Sequence, residues 1–354
     1  MRDIAVVSFA RAPVKRSEER LNEVEILMPV VAEAIQRSGI GRKEIGFTCS
    51  GSCDYLAGVP FAFVHGLDAV GAWPPIMESH VEMDAAWALY EAWVRLQHGD
   101  VDSALVYGFG KSSLGDLPIV LSQQLDPYYM APLWPDSVSV AALQARAWLD
   151  AGLGTERDMA EVAARSRRDA LTNPTAQLAF DRTADELLGE PYLVAPLRRH
   201  DCPPISDGAA AVVLAADDLA RRVCERPAWI RGIAHRIESH ALGARDLTRS
   251  ISTRQAAEAA GGFDGPPPDL AELHAPFSHQ ELILREALGL DPGRTRINPS
   301  GGALAGNVMM AAGLTRIGEA AMRIMAGEAR RALAHATSGP ALQHNLVCIL
   351  EAER

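Results

Sequence analysis

The 354-residue chain is long enough to bury a large core, and with 48% apolar residues and few aromatics it reads as a packed α/β enzyme, not a disordered or fibrous protein. Its formal charge of −11 excludes a general nucleic-acid binder, although a few local arginines can still hold an anionic small molecule. No stretch approaches the ~20 apolar residues that a bilayer-spanning helix needs, so the expectation is a cytoplasmic protein with no membrane span.

In chain order, residues 4–9 predict a first strand rather than a signal peptide. Residues 24–38 predict a helix begun or kinked at Pro29 and stopped by Gly39. Residues 45–49 begin a second strand. Ala85, Leu89, Ala92 and Leu96 recur at helical spacing up to Gly99, and the buried strand Ala104–Tyr107 follows. Residues 113–200 break this rhythm with a Pro- and Tyr-rich piece (Asp126-Pro-Tyr-Tyr-Met-Ala-Pro-Leu-Trp-Pro135) and two amphipathic helices near 138–151 and 156–171, which reads as an inserted lobe. Residues 264–268 are a second loop. Late in the chain, Leu314, Ile317, Ala321 and Ile324 mark another helix rich in small residues, and Asn345–Leu350 another buried strand. Early and late segments thus share an order of turn, helix and apolar strand, a weak internal repeat. It divides the chain at 1–220, with the lobe inserted, and 221–354. The five cysteines form no disulfide framework, and Cys49 and Cys53 lack a second pair to complete a metal site, so no metal is expected.

Three stretches carry the functional signal: Asp201-Cys-Pro-Pro-Ile-Ser-Asp-Gly-Ala-Ala-Ala-Val-Val-Leu214, Glu272-Leu-His-Ala-Pro-Phe-Ser-His-Gln-Glu281 and Asn298-Pro-Ser-Gly-Gly-Ala-Leu-Ala-Gly-Asn307. In this order, with Lys111-Ser112 and Asn173-Pro-Thr-Ala-Gln177, they resemble the thiolase superfamily in its sterol-carrier and lipid-transfer-protein branch. The resemblance covers almost the whole chain. It implies a five-layer αβαβα fold from two similar halves, a loop domain covering coenzyme A, and a homodimer.

The departures from that family carry the most information. A thiolase begins the buried helix of its first half with a nucleophilic cysteine, yet Glu78-Ser-His-Val-Glu-Met-Asp84 holds none. The activating Gly-His-Pro turn is replaced by Gly306-Asn307-Val308, and the late cysteine has no counterpart near Gly339–Ala341. Acyl-cysteine chemistry is therefore not expected. His274 matches the family's Asn/His that holds the thioester oxygen as it gains charge; a core histidine is the alternative. His80, Glu82 and Asp84 stand where a thiol would be, as proton acceptors or, for the carboxylates, as ordinary helix caps. His344 precedes the last strand near the vanished second cysteine and is a further acid/base candidate. Tyr128 and Tyr129 line an acyl pocket or pack in the lobe. Arg165, Arg167 and Arg168 meet coenzyme A phosphates or simply face solvent. Asn307 and Gly302, in the third motif, complete the candidate substrate contacts.

This pattern is similar to the cysteine-less acyl-CoA aldolases of actinobacterial steroid side-chain (cholesterol) degradation. The resemblance implies retro-aldol cleavage of a β-hydroxyacyl-CoA to a ketone or aldehyde and a shorter acyl-CoA. Coenzyme A would be part of the substrate, with no separate cofactor, and a small zinc-ribbon/OB-fold protein would be the partner. The alternatives are a non-catalytic acyl-CoA- or lipid-binding scaffold and a thiolase with a relocated cysteine, at Cys53 or Cys348.

Overall fold

The computed structural model describes residues 1–353. Its first five principal strands are β1 (Ile4–Arg11), β2 (Phe47–Gly51), β3 (Glu78–Val81), β4 (Ser103–Lys111) and β5 (Asp207–Ala216). The next five are β6 (Ala228–Ile237), β7 (Leu270–Leu273), β8 (Arg296–Ile297), β9 (Arg331–Ser338) and β10 (His344–Glu351). Read from its outer edge, the first set runs β3-β2-β4-β5-β1 and the second runs β8-β7-β9-β10-β6. Each half therefore places its third, second, fourth, fifth and first strands side by side. The halves meet edge to edge through two residue pairs, Ala5 opposite Trp229 and Val6 opposite Ala228.

Seven helices complete the frame: α1 (Glu23–Ser38), α2 (Ala85–His98), α3 (Ser137–Asp150), α4 (Glu156–Asp169), α5 (Ile251–Ala259), α6 (Ser278–Ala287) and α7 (Ala312–Met325). Side-chain alternation along the strands sorts these helices into layers. Ile4, Val6 and Phe9 of β1 face the central core with α2 and α7, whereas Ala5, Val7 and Ala10 face α1. The change of parity between Val6 and Phe9 follows from a β-bulge there. In the second half, Leu346, Cys348 and Leu350 of β10 face the same central core, and Val347 and Ile349 face α5 and α6. The layers are thus helix, sheet, helix pair, sheet and helices: a five-layer αβαβα fold.

The central layer is thin because its residues are small. A Cβ on Gly318 would lie 2.2 Å from the Phe9 ring, and one on Gly313 would lie 2.5 Å from the Ala336 methyl. Substituents there would force the two sheets apart. Helix α1 runs from Glu23, capped by a reciprocal Asn22–Glu25 box, so Pro29 lies inside the helix and does not start it. Residues 112–206 leave the sheet between β4 and β5; this excursion includes α3, α4 and a two-stranded ribbon, Tyr192–Val194 with Leu197–Arg198.

Candidate active site

Loops at the ends of the strands converge on a cavity of about 330 Å³. Leu117, Leu121, Val138 and Val140 of residues 112–206 form one wall, and Pro276, Phe277 and Leu342 of the second half form another. Glu82, Asp84, His274, Asn307 and Thr337 supply polar groups. A largely apolar hollow with a few convergent polar side chains is the usual form of a small-molecule site.

Two loops form the floor, and glycines let them lie directly on the sheet. A Cβ on Gly51 would sit 2.4 Å from Ala85 N, and Cβ atoms on Gly108 and Gly110 would each sit 2.3 Å from the carbonyl oxygens of Met310 and Met309. The loop that bears Asn307 is pinned from both ends. Asn298 Oδ1 accepts Leu273 N–H at 2.6 Å, Ser300 Oγ donates to buried Glu272 at 2.7 Å, and Asn307 N–H donates to Ser206 Oγ at 3.0 Å.

His274 follows β7 and is buried. Its Nδ1 accepts Thr337 N–H at 3.4 Å, and its Nε2 lies 3.0 Å from Asn307 Oδ1. Burial lowers the imidazole pKa, with Asp84 and the Asn307 hydrogen bond opposing. A neutral ring whose Nδ1 is an acceptor carries its proton on Nε2, so Nε2–H donates to Asn307 Oδ1. Asn307 Nδ2 is then the donor left to a ligand, and it makes no hydrogen bond among the described residues.

Asp84 is a cap with two clients. It accepts Ala86 N–H of α2 at 2.8 Å, Gly313 N–H of α7 at 2.8 Å and Leu314 N–H of α7 at 3.1 Å. Two helix N-termini, each with roughly half a positive charge, therefore share one buried carboxylate. Glu82 is exposed at the cavity rim, with Oε1 accepting Asp54 N–H at 2.6 Å and Oε2 uncommitted. Beside it lies the buried thiol of Cys53, whose pKa is raised by burial and also by the Glu82 carboxylate. Cys348 is fully buried inside β10, and burial pushes its pKa up as well.

The other residues singled out in the sequence lie elsewhere. The ladder partner of His344, Ser338, lines the cavity, but the imidazole turns to the core. Trp87 Nε1–H donates to its Nε2 at 3.1 Å, and His235 Nδ1 lies 3.1 Å from the same atom. Burial, then His235, lowers its pKa to about 4. With its lone pair taken, this imidazole is not placed to accept a substrate proton. His80 is stacked on Phe63 at 3.6 Å on the edge strand, outside the cavity lining. Tyr128 and Tyr129 are 81% and 79% exposed on the outside of the lobe. Arg165 is paired with Glu281 at 2.5 Å and exposed Arg168 lies 3.7 Å from Asp181, so neither points at the cavity mouth as a free cation. Arg167 is buried over Phe180. Gly302, with φ of 64°, starts a short helix against Asn298 and borders a separate, water-sized void beside Arg11 and Arg316. No group of three metal-ligating side chains occurs among the described residues.

Sequence reasoning did not single out Thr337 or Gln280 as parts of this cavity, and named Cys53 only as a relocated nucleophile. Gln280 lies in the quoted 272–281 motif, one helical turn past Phe277; its spacing could have marked it. Thr337 contributes a backbone N–H, for which no sequence signal exists.

Comparison with known proteins agrees with this geometry. No family model matches the chain. An acetyl-CoA acetyltransferase of Methanothermobacter thermautotrophicus is 31% identical over 229 residues, spanning 59% of this chain and 59% of that protein. Sterol carrier protein 2 of Gallus gallus is 26% identical over 370 residues, covering 94% of this chain and 67% of that protein. Among solved structures, the Ltp2-ChsH2(DUF35) aldolase superposes with a TM-score of 0.82 at 19% identity, over 99% of this chain and 98% of that one.

The chain has a thiolase-like fold and is similar in sequence to sterol carrier protein 2.

Its five layers match the fold of that solved aldolase, and its sequence likeness to sterol carrier protein 2 runs over 94% of the chain. The first buried helix opens on Asp84, and residues 78–84 hold no thiol. The positive field of both central helices is spent on that fixed carboxylate. No helix is long and apolar enough to cross a membrane among the described residues.

Proposed function

We infer that this chain is an acyl-CoA retro-aldolase, cleaving a β-hydroxyacyl-CoA to a ketone or aldehyde and a shorter acyl-CoA without an acyl-cysteine. The observation that carries this reading is the His274–Asn307 pair, set in an apolar cavity whose helix N-termini are already neutralised by Asp84. A thiolate nucleophile needs that helix field and an acidic thiol. Here the field is occupied, and the only lining thiol among the described residues, Cys53, is shifted toward the protonated form.

Retro-aldol cleavage needs less. A base takes the proton of the β-hydroxyl, the Cβ–O bond becomes a carbonyl, and the Cα–Cβ bond breaks. Its electron pair passes into the thioester as an enolate, which is then protonated at Cα. The free Asn307 Nδ2–H, oriented by His274, is suited to receive the thioester oxygen as charge develops on it. Glu82, with an uncommitted oxygen at the rim, is the proposed proton acceptor. Asp84 is the weaker candidate because three backbone N–H groups already hold its oxygens.

The apolar walls suit a bulky hydrocarbon acyl group, and the resemblance makes a steroid side-chain thioester the proposed substrate. The TM-score of 0.82 to an aldolase bearing a DUF35 component supports a small zinc-ribbon/OB-fold partner, and the unpaired outer edge of β3 supports a homodimer. The test is to incubate the chain, with and without that partner, with a branched β-hydroxyacyl-CoA and to follow the products by mass spectrometry. The shortened acyl-CoA is expected. Tight binding without cleavage in both mixtures would make the chain a scaffold, and a mass adduct on Cys53 would make it a transferase.

A further inference from the structure

One wall of the cavity is held in an unfavourable backbone shape by groups that lie outside the cavity lining. Between β9 and β10, Gly339, Ala341 and Leu342 all have positive φ, at 76°, 53° and 58°. Glycine adopts this region freely, whereas alanine and leucine do so only under constraint. All three residues, with Pro340, line the cavity.

The constraint comes mainly from Arg245. Its Nη2–H donates to Pro340 O at 2.9 Å and its Nη1–H donates to Ala341 O at 3.2 Å. Asn345 Nδ2–H holds Leu342 O at 2.8 Å, and Gln144 Nε2–H of the lobe reaches toward Ala341 O at 3.5 Å. The Ala341 methyl packs with Val140 of α3 and Leu242, so the turn is wedged between lobe and second half. A guanidinium is suited to this task because one rigid fork can grip two successive carbonyls. Arg245 does so at a cost, since it is partly desolvated and its buried Nε has no partner.

We propose that Arg245 is a positioning residue that holds the turn 339–342 in its strained shape, and that this shape sets the acyl end of the cavity. The inference shares the acyl-CoA ligand with the proposed function but not the cleavage step, so binding tests it separately. Residues with strained backbone conformations gather where the surroundings over-determine them, often at ligand walls. Without the fork, Ala341 and Leu342 relax toward negative φ and the wall moves.

Calorimetry with a non-cleavable saturated branched acyl-CoA, and with free coenzyme A as reference, reads this directly. Arg245→Met is expected to weaken the acyl-CoA by tenfold or more while changing free coenzyme A less than twofold. Adding Ala341→Gly to Arg245→Met is expected to recover most of that loss, because glycine restores access to positive φ without the clamp. Equal weakening of both ligands, unchanged acyl-CoA binding, or no recovery with Ala341→Gly would each overturn the proposal. Failure of cleavage in the wild-type chain would strike the aldolase reading alone and leave this result standing.

Discussion

The two halves of the molecule share one strand order but close it differently. Between β4 and β5 the first half sends out residues 112–206, which supply one wall of the cavity; between β9 and β10 the second half makes a tight turn at 339–343, which supplies another. The central helices differ in the same way. Helix α2 has its own cap in Asp84, whereas α7 has no side-chain cap from its own segment and borrows that carboxylate. The shared strand order gives the frame, and the site arises where the two halves differ.

Removing the shared cap should have the largest effect. Asp84→Ala leaves three buried N–H groups without acceptors and is expected to cost roughly 3–5 kcal/mol in denaturant unfolding, from cap loss and unsatisfied donors together. Glu82→Ala, at the exposed rim, should stay within about 0.5 kcal/mol. If both variants unfold alike, the two-helix cap is not what joins the halves.

The second contrast is between two histidines of the second half. His274→Ala is expected to lower retro-aldol turnover by up to roughly 100-fold, the order seen when an oxyanion donor is removed, because Asn307 Nδ2–H loses the partner that aims it. His344→Ala should change kcat by less than about threefold, because its imidazole is committed to Trp87 and His235. Equal losses in steady-state kinetics would return His344 to the chemistry.

A third test separates the halves by pH. His279 and His335 are buried and hydrogen-bonded, with pKa values lowered to about 3 by burial, whereas His65, His80 and His98 of the first half are exposed. A depressed folded pKa means the neutral form is what folding favours. The contribution is fully present above the ordinary value of 6.5 and is lost as pH falls toward 3. Each histidine should therefore cost up to about 2 kcal/mol of stability at pH 5. Thermal unfolding measured from pH 7 to pH 5 should fall, and His335→Gln should flatten part of the slope.

The smallest effect is expected in the lobe's outer aromatics. Tyr128→Ala and Tyr129→Ala should leave stability within about 0.5 kcal/mol and turnover unchanged. A rise in KM would mean that these side chains do reach a ligand.

Much of the fold was legible in residue patterns. Helical spacing marked α2 and α7, and the composition of 113–200 was read as an insertion, in the stretch where the chain leaves the sheet. The ten-residue strands β5 and β6 were not read as strands. Ala-rich β5 offers no alternation because both of its faces are covered, and β6 mixes two arginines and one histidine into its ladder. In the site, His274, Asp84, Glu82 and Asn307 were named from the sequence and do meet at one cavity. His80, His344, Gly302, the two tyrosines and the arginines were named with them and do not. Proximity along the chain to a motif says nothing about which face of a strand or helix a side chain takes, or whether a neighbour has already claimed it.

The sequence by itself determined that no cysteine stands at the head of the first buried helix, because a missing residue type needs no coordinates to be seen. Only the tertiary structure decided that Asp84 serves two helices at once. A carboxylate becomes the shared cap of two helices when residues 84 and 313 are brought within hydrogen-bond reach, and that follows from packing two halves around one thin layer.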